Sequence, residues 1–358
     1  MNICAVIIAG GIGTRFWPLS RKQRPKQFLP IISDKTMIEE TIQRILPLLS
    51  YSNIYTIANQ KQTHTLRELL PKMPSNNFLV EPQGKNTAPC LLLATAHLYL
   101  KDPESVIAVL PADHLIKDAS YFLKKLKAAA NAADKSQSLI TFGIPPTHPS
   151  TGYGYIQFSK KNPLSFSGEE FFRVQEFKEK PDQNTARSFL KTGAYFWNSG
   201  MFLWKAKVFS ENLRKYAPEM FSHWKKILEA LKSNDQNGLN AIFDEIPSIS
   251  IDYALMEKTK NVLMGKGDFG WSDVGSWSSL LEIWEKDPNH NALRGECITI
   301  DTKNCLVHSP DKLTALIGLK DLVIVNTDDA LLICKKDTDQ KVKQVVSTLQ
   351  KKGGKKYL

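Results

Sequence analysis

The chain has 358 residues, of which 42% are hydrophobic and 23% charged, a composition typical of globular proteins and a length that favours two domains. No apolar run approaches ~18 residues, so the sequence predicts no membrane-spanning helix and no membrane partner. The net charge is +11, but the basic clusters are local, at 15–26 and in the terminal "KKGGKKYL", so we expect no nucleic acid partner either. Five scattered cysteines without CxxC spacing indicate reduced thiols and a cytoplasmic location.

The first 143 residues alternate between short apolar runs and segments with helical periodicity. The apolar runs predict buried strands at 3–9, 53–58, 77–80, 105–110 and 138–143. The periodic segments predict helices at 36–46, 88–100 and 120–133. This alternation predicts a Rossmann-like α/β fold with a doubly wound, mainly parallel sheet, in which ligands bind beyond the carboxyl ends of the strands.

The pattern changes twice in the rest of the chain. Residues 150–205 are rich in strand-like segments, and 206–290 are mostly helical, with the polar stretch 233–238 predicted as a loop. After Pro288, five short strand-like segments precede a helix at about 337–350. We therefore predict two domains, at 1–288 and 289–358.

The stretch "GGIGTRFWPLSRKQRPKQFLP" at 10–30 contains three glycines and five cations but no acidic residue. It matches neither GxxxxGK[ST] nor GxGxxG, which argues against a P-loop and a nicotinamide cofactor. A strand followed by glycines still allows backbone N–H groups to approach phosphate, and Arg15 and Lys26 can neutralise its charge. The alternative is a tight turn followed by a solvated basic loop.

Two aspartates are candidate functional residues. One follows a predicted strand, and the other lies in an irregular, aromatic segment of the kind that commonly lines pockets. Asp113 ends the run "LPADH", and Asp273 lies in the glycine- and tryptophan-rich "GWSDVGSW". Because Mg²⁺ prefers one or two carboxylates together with substrate phosphates, these residues are candidate metal ligands. The alternative for Asp113 is a helix or turn cap.

Further polar motifs lie after other strands. In "EPQGKNTAP", Asn86 and Thr87 can bind the edge of a base, and Thr87 can also cap the helix that begins near Ala88. In "EFKEKP", Glu179 can accept from sugar hydroxyls while Lys180 binds phosphate, although a surface ion pair is the alternative.

These motifs occur in an order that closely resembles the sugar-phosphate nucleotidyltransferase family. The resemblance is carried by the glycine loop, "EPQGKNTAP", "PADH", "TGYGYI", "FKEKPD", "WNSGMF", "SIDYALMEK" and "GWSDVGSW", and it covers essentially the whole chain. Trp17 and the ending "PKQF" favour the mannose branch. The resemblance implies transfer of GMP from GTP to mannose 1-phosphate, giving GDP-mannose and pyrophosphate. The sugar phosphate is itself the nucleophile, so no general base is needed and catalysis reduces to positioning and charge neutralisation.

The resemblance also implies roles for particular residues. The expected catalytic residues are Arg15, Lys26, Asp113 and Asp273, and Mg²⁺ would be bound by Asp113 and Asp273. The expected nucleotide-binding residues are Ala9, Gly10, Gly11, Gly13, Thr14, Arg15, Lys26, Glu81, Pro82, Lys85, Asn86, Thr87, Ala88 and Asp113. The expected sugar-phosphate-binding residues are Gly152, Tyr153, Gly154, Glu179, Lys180, Asn198 and Gly200.

Three further expectations follow from the resemblance. The mannose branch usually has arginine where this chain has Lys85, and lysine lacks the planar fork of a guanidinium. The segment 289–358 resembles a small β-helix-like module, and we expect a homodimer. The chain ends before the cupin-type isomerase domain of longer relatives, so we expect no isomerase activity.

Two alternatives to this function stay open on the sequence. One is a related nucleotidyltransferase that uses another hexose 1-phosphate or another base. The other is a non-catalytic, nucleotide-sensing paralogue that keeps the fold.

Overall fold

The computed structural model describes residues 1–358 and divides into two compact units. We call the first the sheet unit; it comprises Met1–Gly10, Ile42–Ala112 and Ile116–Trp271. We call the second the loop unit; it comprises Gly11–Thr41, Asp113–Leu115 and Ser272–Leu358. The division at residues 288/289 stays a prediction.

The chain forms strands and helices over most of its length. The strands are β1 (Ile3–Ile8), β2 (Ile54–Asn59), β3 (Phe78–Glu81), β4 (Val106–Pro111), β5 (Leu115–Ile116), β6 (Leu139–Ile144), β7 (Tyr155–Phe158), β8 (Leu164–Phe166), β9 (Glu169–Lys178), β10 (Tyr195–Lys205), β11 (Val262–Lys266), β12 (Trp271–Ser272), β13 (Ala292–Arg294), β14 (Cys297–Ile300), β15 (Leu306–His308), β16 (Thr314–Ile317), β17 (Leu322–Asn326) and β18 (Leu331–Lys335). The α-helices are α1 (Met37–Ile45), α2 (Gln60–Leu69), α3 (Thr87–Lys101), α4 (Ala119–Ser136), α5 (Gln183–Thr192), α6 (Ala206–Tyr216), α7 (Pro218–Lys232), α8 (Gln236–Glu245), α9 (Trp277–Leu280) and α10 (Val342–Lys351). No helix is long and apolar enough to cross a membrane.

The sheet unit is built on one ten-stranded sheet, which confirms the predicted α/β class. Its order is β3-β2-β1-β4-β10-β6-β11-β9-β7, with β8 paired to β9. The strands β1 to β4 are parallel, as predicted, but β10 runs antiparallel to both β4 and β6, and β7 and β9 are also antiparallel to their neighbours. The sheet is therefore mixed beyond its first four strands.

Apolar helices cover this sheet and close the core of the unit. Helix α3 is buried along most of its length because its sequence is almost entirely apolar or small. A row of aromatic rings continues the core, with Trp204 stacked on Phe209 at 4.6 Å and Phe209 contacting Trp224 at 5.8 Å. Side chains at their N-caps define the starts of α2, α3, α4, α5 and α8.

Three sequence-based predictions about this region were wrong in detail. Residues 236–238 were predicted as loop but begin α8, because Asp235 caps the helix by accepting a hydrogen bond from Gly238 N at 2.8 Å. Helix α5 lies within the segment predicted as strand-rich, and β11 lies within the segment predicted as helical. Strand β11 pairs with β6, which is distant from it in sequence, so a short local pattern does not reveal this pairing.

The loop unit contains short stacked strands and a terminal helix, consistent with a β-helix-like module. Strands β13, β15 and β17 are parallel, β14 pairs in parallel with β16, and β18 closes one edge in antiparallel fashion. The core of this unit combines residues from the glycine loop with residues after 272. It includes Phe16, Trp17, Leu29, Ile31, Val274, Trp277, Leu280, Trp284, Val323 and Val342.

Candidate functional site

The glycine loop folds back on itself and brings Lys26 against Gly13. Gly13 has φ 69°, and a Cβ atom there would lie 2.4 Å from Lys26 Cβ, so only glycine fits. The loop is closed by Lys26 N, which donates to Ile12 O at 3.2 Å, and by Ser20 Oγ, which donates to Gly13 O at 2.7 Å. Arg15 lies in the short 3₁₀ turn Thr14–Phe16 within this loop. Glycine spacing thus positions the lysine, as well as allowing close approach of a ligand.

The Lys26 ammonium joins both predicted aspartates within the loop unit. Its side chain is 5% exposed, and Nζ donates to Asp113 Oδ2 at 2.9 Å, to Asp113 O at 3.2 Å and to Asp273 O at 2.7 Å. The contact to Asp273 is through the backbone carbonyl. Three predicted residues far apart in sequence therefore meet at one cation, which already has an oxygen partner for each of its three protons.

The charge balance keeps Asp113 ionised. Burial acts to raise the pKa of this carboxyl, but the nearby Lys26 ammonium and His114 lower it below its usual range. No group of three or more His, Cys, Asp and Glu side chains forms a closed metal site. The Asp113 carboxylate is an oxygen ligand of the kind that a hard divalent cation takes together with phosphate and water.

In the sheet unit, the run Glu81–Ala88 leads from the end of β3 into α3. Asn86, with φ 72°, is the N-cap of α3, and its Oδ1 accepts from Thr87 N at 2.8 Å. The prediction that Thr87 caps this helix was wrong, because Thr87 is its first residue and its Oγ1 accepts from Ile251 N at 2.9 Å. Lys85 Nζ donates to Asp244 O at 3.1 Å. Pro82 lies within the same run.

Glu81 has a buried carboxyl group, one oxygen of which accepts no hydrogen bond. Its side-chain Oε1 has no hydrogen-bond partner, and the residue is 6% exposed. Burial raises the pKa of Glu81 to about 7, a shift that the backbone N–H of Lys85 partly opposes. A buried acceptor of this kind is costly unless a ligand or proton satisfies it.

A second polar cluster, which we call the Glu179 cluster, comprises Gly154, Glu179, Lys180, Asn198 and Asp252. Lys180 forms an ion pair with Glu179. Asn198 Oδ1 accepts from the Thr141 hydroxyl at 3.1 Å, and its Nδ2 donates to Asp252 Oδ1 at 3.0 Å. The amide of Asn198 is thus fixed in one orientation by the groups on either side of it.

Gly154 leaves little space for a side chain within this cluster. A Cβ atom at Gly154 would lie 2.4 Å from Glu179 Oε2 and 3.3 Å from Asn198 Cβ. The Gly154 carbonyl accepts from Asn198 N at 2.8 Å. Nearby in the same unit, the ring of Tyr153 contacts Trp197 at 4.9 Å. The predicted glycine-rich segment, which also includes Gly152, therefore packs directly on the predicted hexose-binding residues.

Asp252 is a residue of this cluster that the sequence reasoning did not select. It begins a short π-helical turn, Asp252–Met256, within the motif "SIDYALMEK". Burial and the neighbouring Glu179 charge raise its pKa to about 7, although Lys180 acts in the opposite direction. No local sequence signal singled it out, because the residues that determine its setting, Asn198 and Glu179, lie on other elements. Its neighbour Ile251 bonds Thr87, so one segment contacts both the Glu81–Ala88 run and the Glu179 cluster.

The predicted residues thus form three local groups. Lys26, Asp113 and Asp273 meet in the loop unit, where Gly11, Gly13, Thr14 and Arg15 also lie. The sheet unit holds the other predicted residues: Ala9 and Gly10 after β1, the run Glu81–Ala88, and the Glu179 cluster with Gly152, Tyr153 and Gly200.

Comparisons with known proteins cover almost the whole chain. Residues 4–290 match the family model described as nucleotidyl transferase, and residues 295–349 match one described as MannoseP isomerase/GMP-like beta-helix domain. The alginate biosynthesis protein AlgA of Pseudomonas aeruginosa is 42% identical over 97% of this chain and 72% of its own length. A mannose-1-phosphate guanylyltransferase of Escherichia coli is 39% identical over 98% of this chain and 75% of its own length.

A solved structure is similar over the same extent. A Thermus thermophilus protein, described as a mannose-1-phosphate geranyltransferase, superposes with a TM-score of 0.88 at 32% identity. The match covers 98% of this chain and 100% of the other. Both units therefore have counterparts in one known protein.

Proposed function

We propose that this chain, which belongs to the nucleotidyl transferase family, transfers GMP from GTP to mannose 1-phosphate, giving GDP-mannose and pyrophosphate. The observation that carries the proposal is the near full-length similarity to the E. coli guanylyltransferase, at 39% identity over 98% of the chain. The charge arrangement around Lys26 agrees with such a reaction, since bringing two anions together requires fixed positive charge.

In this proposal, Arg15 and Lys26 bind the triphosphate and the departing pyrophosphate. Because Lys26 Nζ already donates to three oxygens, it must exchange one of these contacts for a phosphate oxygen when GTP binds. Asp113 and Asp273 would hold Mg²⁺, whose charge would offset that of the α-phosphate and the sugar phosphate. Asp113 is suited to this role because it stays ionised.

The Glu179 cluster is the proposed hexose site. Glu179 and Asn198 orient the sugar hydroxyls, Lys180 binds the sugar phosphate, and the backbone of Gly152, Tyr153, Gly154 and Gly200 lines the site. We add Asp252, which fixes the amide of Asn198 and carries a second carboxyl. Binding of the hexose would position the phosphate attached to it. Because the attacking phosphate oxygen is already ionised, no side chain needs to remove a proton.

In the sheet unit, the run Glu81–Ala88 is the proposed nucleoside site, together with Ala9 and Gly10. In the loop unit, Gly11, Gly13 and Thr14 are the proposed phosphate-binding backbone. Guanine presents adjacent N1–H and N2–H donors, whereas adenine does not. The unpartnered oxygen of Glu81 is an acceptor suited to these donors. We therefore assign selection of GTP over ATP to Glu81, and we retain a cytoplasmic homodimer as the proposed state of the protein.

The test is pyrophosphate release in the presence of Mg²⁺, measured for GTP, ATP, dTTP and UTP with mannose 1-phosphate or glucose 1-phosphate. Release specific to GTP and mannose 1-phosphate is the expected result, and omission of Mg²⁺ or addition of EDTA should abolish it. Release with another pair would overturn the substrate assignment while keeping the reaction class. Binding of GTP without release from any pair would identify a nucleotide-sensing paralogue.

A further inference from the structure

The glycine loop is tied to the C-terminal part of the loop unit by indole hydrogen bonds. Trp17 Nε1 donates to Tyr357 O at 2.9 Å, a contact that spans 340 residues. Two other indoles donate to backbone carbonyls of this region. Trp277 Nε1 donates to Trp17 O at 3.1 Å, and Trp284 Nε1 donates to Ile31 O at 2.9 Å. The loop is therefore held at Trp17, and just beyond its end at Ile31, by groups that come after residue 272.

Ionic contacts reinforce the same attachment. Arg21 Nη2 lies 2.7 Å from Asp329 Oδ1, and Arg21 Nε donates to Pro18 O at 2.6 Å. The Arg21 side chain is only 16% exposed. Farther along, Arg294 Nη2 donates to Ile32 O at 2.7 Å. Arg21 Nη1 is buried without a hydrogen-bond partner, but Nε and Nη2 both bond protein oxygens, so two of the three guanidinium nitrogens are engaged by the protein.

Backbone contacts connect Arg21 to Lys26. Arg21 N donates to Arg24 O at 3.0 Å, and Arg24 N donates to Arg21 O at 3.1 Å, so residues 21–24 form a closed turn. The next residues are Pro25, whose φ is fixed by its ring, and Lys26, whose N–H bonds Ile12 O. A displacement of Arg21 would therefore shift the residue that carries the ammonium.

We propose that Arg21 and Asp329, together with Trp17 and the Tyr357 carbonyl, are positioning residues that hold Lys26 in its phosphate-binding place. This inference rests on the proposed function of Lys26. It assigns the strands β13 to β18 and the following tail a role in catalysis through support of the loop. Of the five cations of the loop, it assigns Arg15 and Lys26 to phosphate binding and Arg21 to support of the loop, and it assigns no role to Lys22 and Arg24.

The test is a double-mutant cycle with Arg21→Met, Asp329→Asn and the double variant, in the full chain. Each single variant should raise KM for GTP about tenfold, because a shift of a positioning group by about 1 Å can cost up to two orders of magnitude in rate. The double variant should be no worse than either single, since the pair acts as one unit. KM for mannose 1-phosphate should change less than about threefold. A merely structural role would affect both substrates and the melting temperature together.

The matched control is the exposed ion pair Lys226–Glu245, with Nζ to Oε2 at 3.1 Å, where Lys226→Met should change neither KM. Trp17→Phe, which removes the indole N–H, is a second variant that should also raise KM for GTP. Values within threefold of wild type in Arg21→Met, or fully additive effects in the double variant, would overturn the proposal. Equilibrium binding of GTP provides the same comparison if the wild type releases no pyrophosphate; that result would reject the proposed reaction separately from the positioning role.

Discussion

The cluster around Lys26 and the Glu179 cluster differ in the number of carboxyls that face one ammonium, and the pKa of a carboxyl shifts in opposite directions in the two. In the loop unit, the single ammonium of Lys26 faces one carboxylate and two backbone carbonyls, and the pKa of Asp113 is lowered. In the sheet unit, the ammonium of Lys180 faces two carboxyls, Glu179 and Asp252, and the pKa of Asp252 is raised to about 7. The pKa of the Asp113 carboxyl in the first cluster is thus moved away from neutrality, whereas the pKa of the Asp252 carboxyl in the second lies near it.

This difference suits the chemistry proposed for each cluster. Phosphates carry charge throughout the reaction and require fixed opposite charges. Hexose hydroxyls are neutral and act as both donors and acceptors, so a carboxyl near its pKa can satisfy either role. The same residue types thus give a charge-binding site in one place and a hydroxyl-binding site in the other.

Removing the Lys26 ammonium should have the largest effect. We expect Lys26→Ala to lower kcat/KM about 10²- to 10³-fold, because a preorganised charge is lost from the reacting phosphates. Pyrophosphate release measures the effect, and an unchanged melting temperature shows that the fold is intact. Lys22→Ala, at an exposed lysine of the same loop, is the matched control and should stay near wild type. Near-normal turnover of Lys26→Ala would remove this lysine from the mechanism.

Disturbing the geometry of the Glu179 cluster should have the next largest effect. Gly154→Ala would place a methyl group 2.4 Å from Glu179 Oε2, which must then move. We expect KM for mannose 1-phosphate to rise about tenfold or more while KM for GTP changes little. The control is Gly84→Ala, where an added Cβ meets no atom within 4 Å. Equal effects of the two substitutions on KM for mannose 1-phosphate would contradict this role for the cluster.

The Glu179 cluster has two carboxyls and one ammonium, and this imbalance should affect how the free energy of unfolding depends on pH. The folded-state pKa of Asp252 is raised to about 7, above an unfolded value of about 3.9, so the folded protein binds more protons in this interval. Its contribution to the free energy of unfolding is therefore complete below about pH 4 and is lost as pH rises through about 7, by at most about 1.4 kcal/mol per pH unit. Asp252→Asn should flatten this slope in urea unfolding between about pH 4 and 7. Parallel curves for the two proteins would show that Asp252 titrates normally.

The smallest expected effect concerns Lys85. Its Nζ donates to Asp244 O, a contact that a guanidinium can also make. We expect Lys85→Arg to change KM for GTP less than about threefold, with no change in KM for mannose 1-phosphate. A tenfold fall in KM for GTP would instead show that the planar fork binds the nucleotide directly.

The sequence predicts the positions of the buried strands better than it predicts the contacts between side chains of different segments. Buried parallel strands were predicted within one or two residues because their apolar runs end sharply at polar or glycine residues. For Lys26, a common site with Asp113 was predicted from the family resemblance. Its bond to the Asp273 carbonyl was not, because it depends on the backbone direction of a segment 247 residues away.

Asp252 illustrates a second limit of the sequence. Its importance comes from Asn198 and Glu179, which lie on other elements, so no local pattern around residue 252 reveals the raised pKa. The N-cap of α3 was assigned one residue late for a similar reason: Asn86 and Thr87 are both good caps, and a bond from Ile251 occupies the threonine. Where two adjacent residues can both cap a helix, tertiary contacts determine which of them does so.

The hydrogen bond between Trp17 and Tyr357 has a consequence for biosynthesis. At translation rates of about 5–20 residues per second, roughly 17–70 s separate the synthesis of these two residues. The glycine loop leaves the ribosome early, but the groups that hold it are made much later. A nascent chain would therefore complete its large sheet well before it acquires an ordered phosphate-binding loop, so ribosome-bound intermediates should bind GTP weakly.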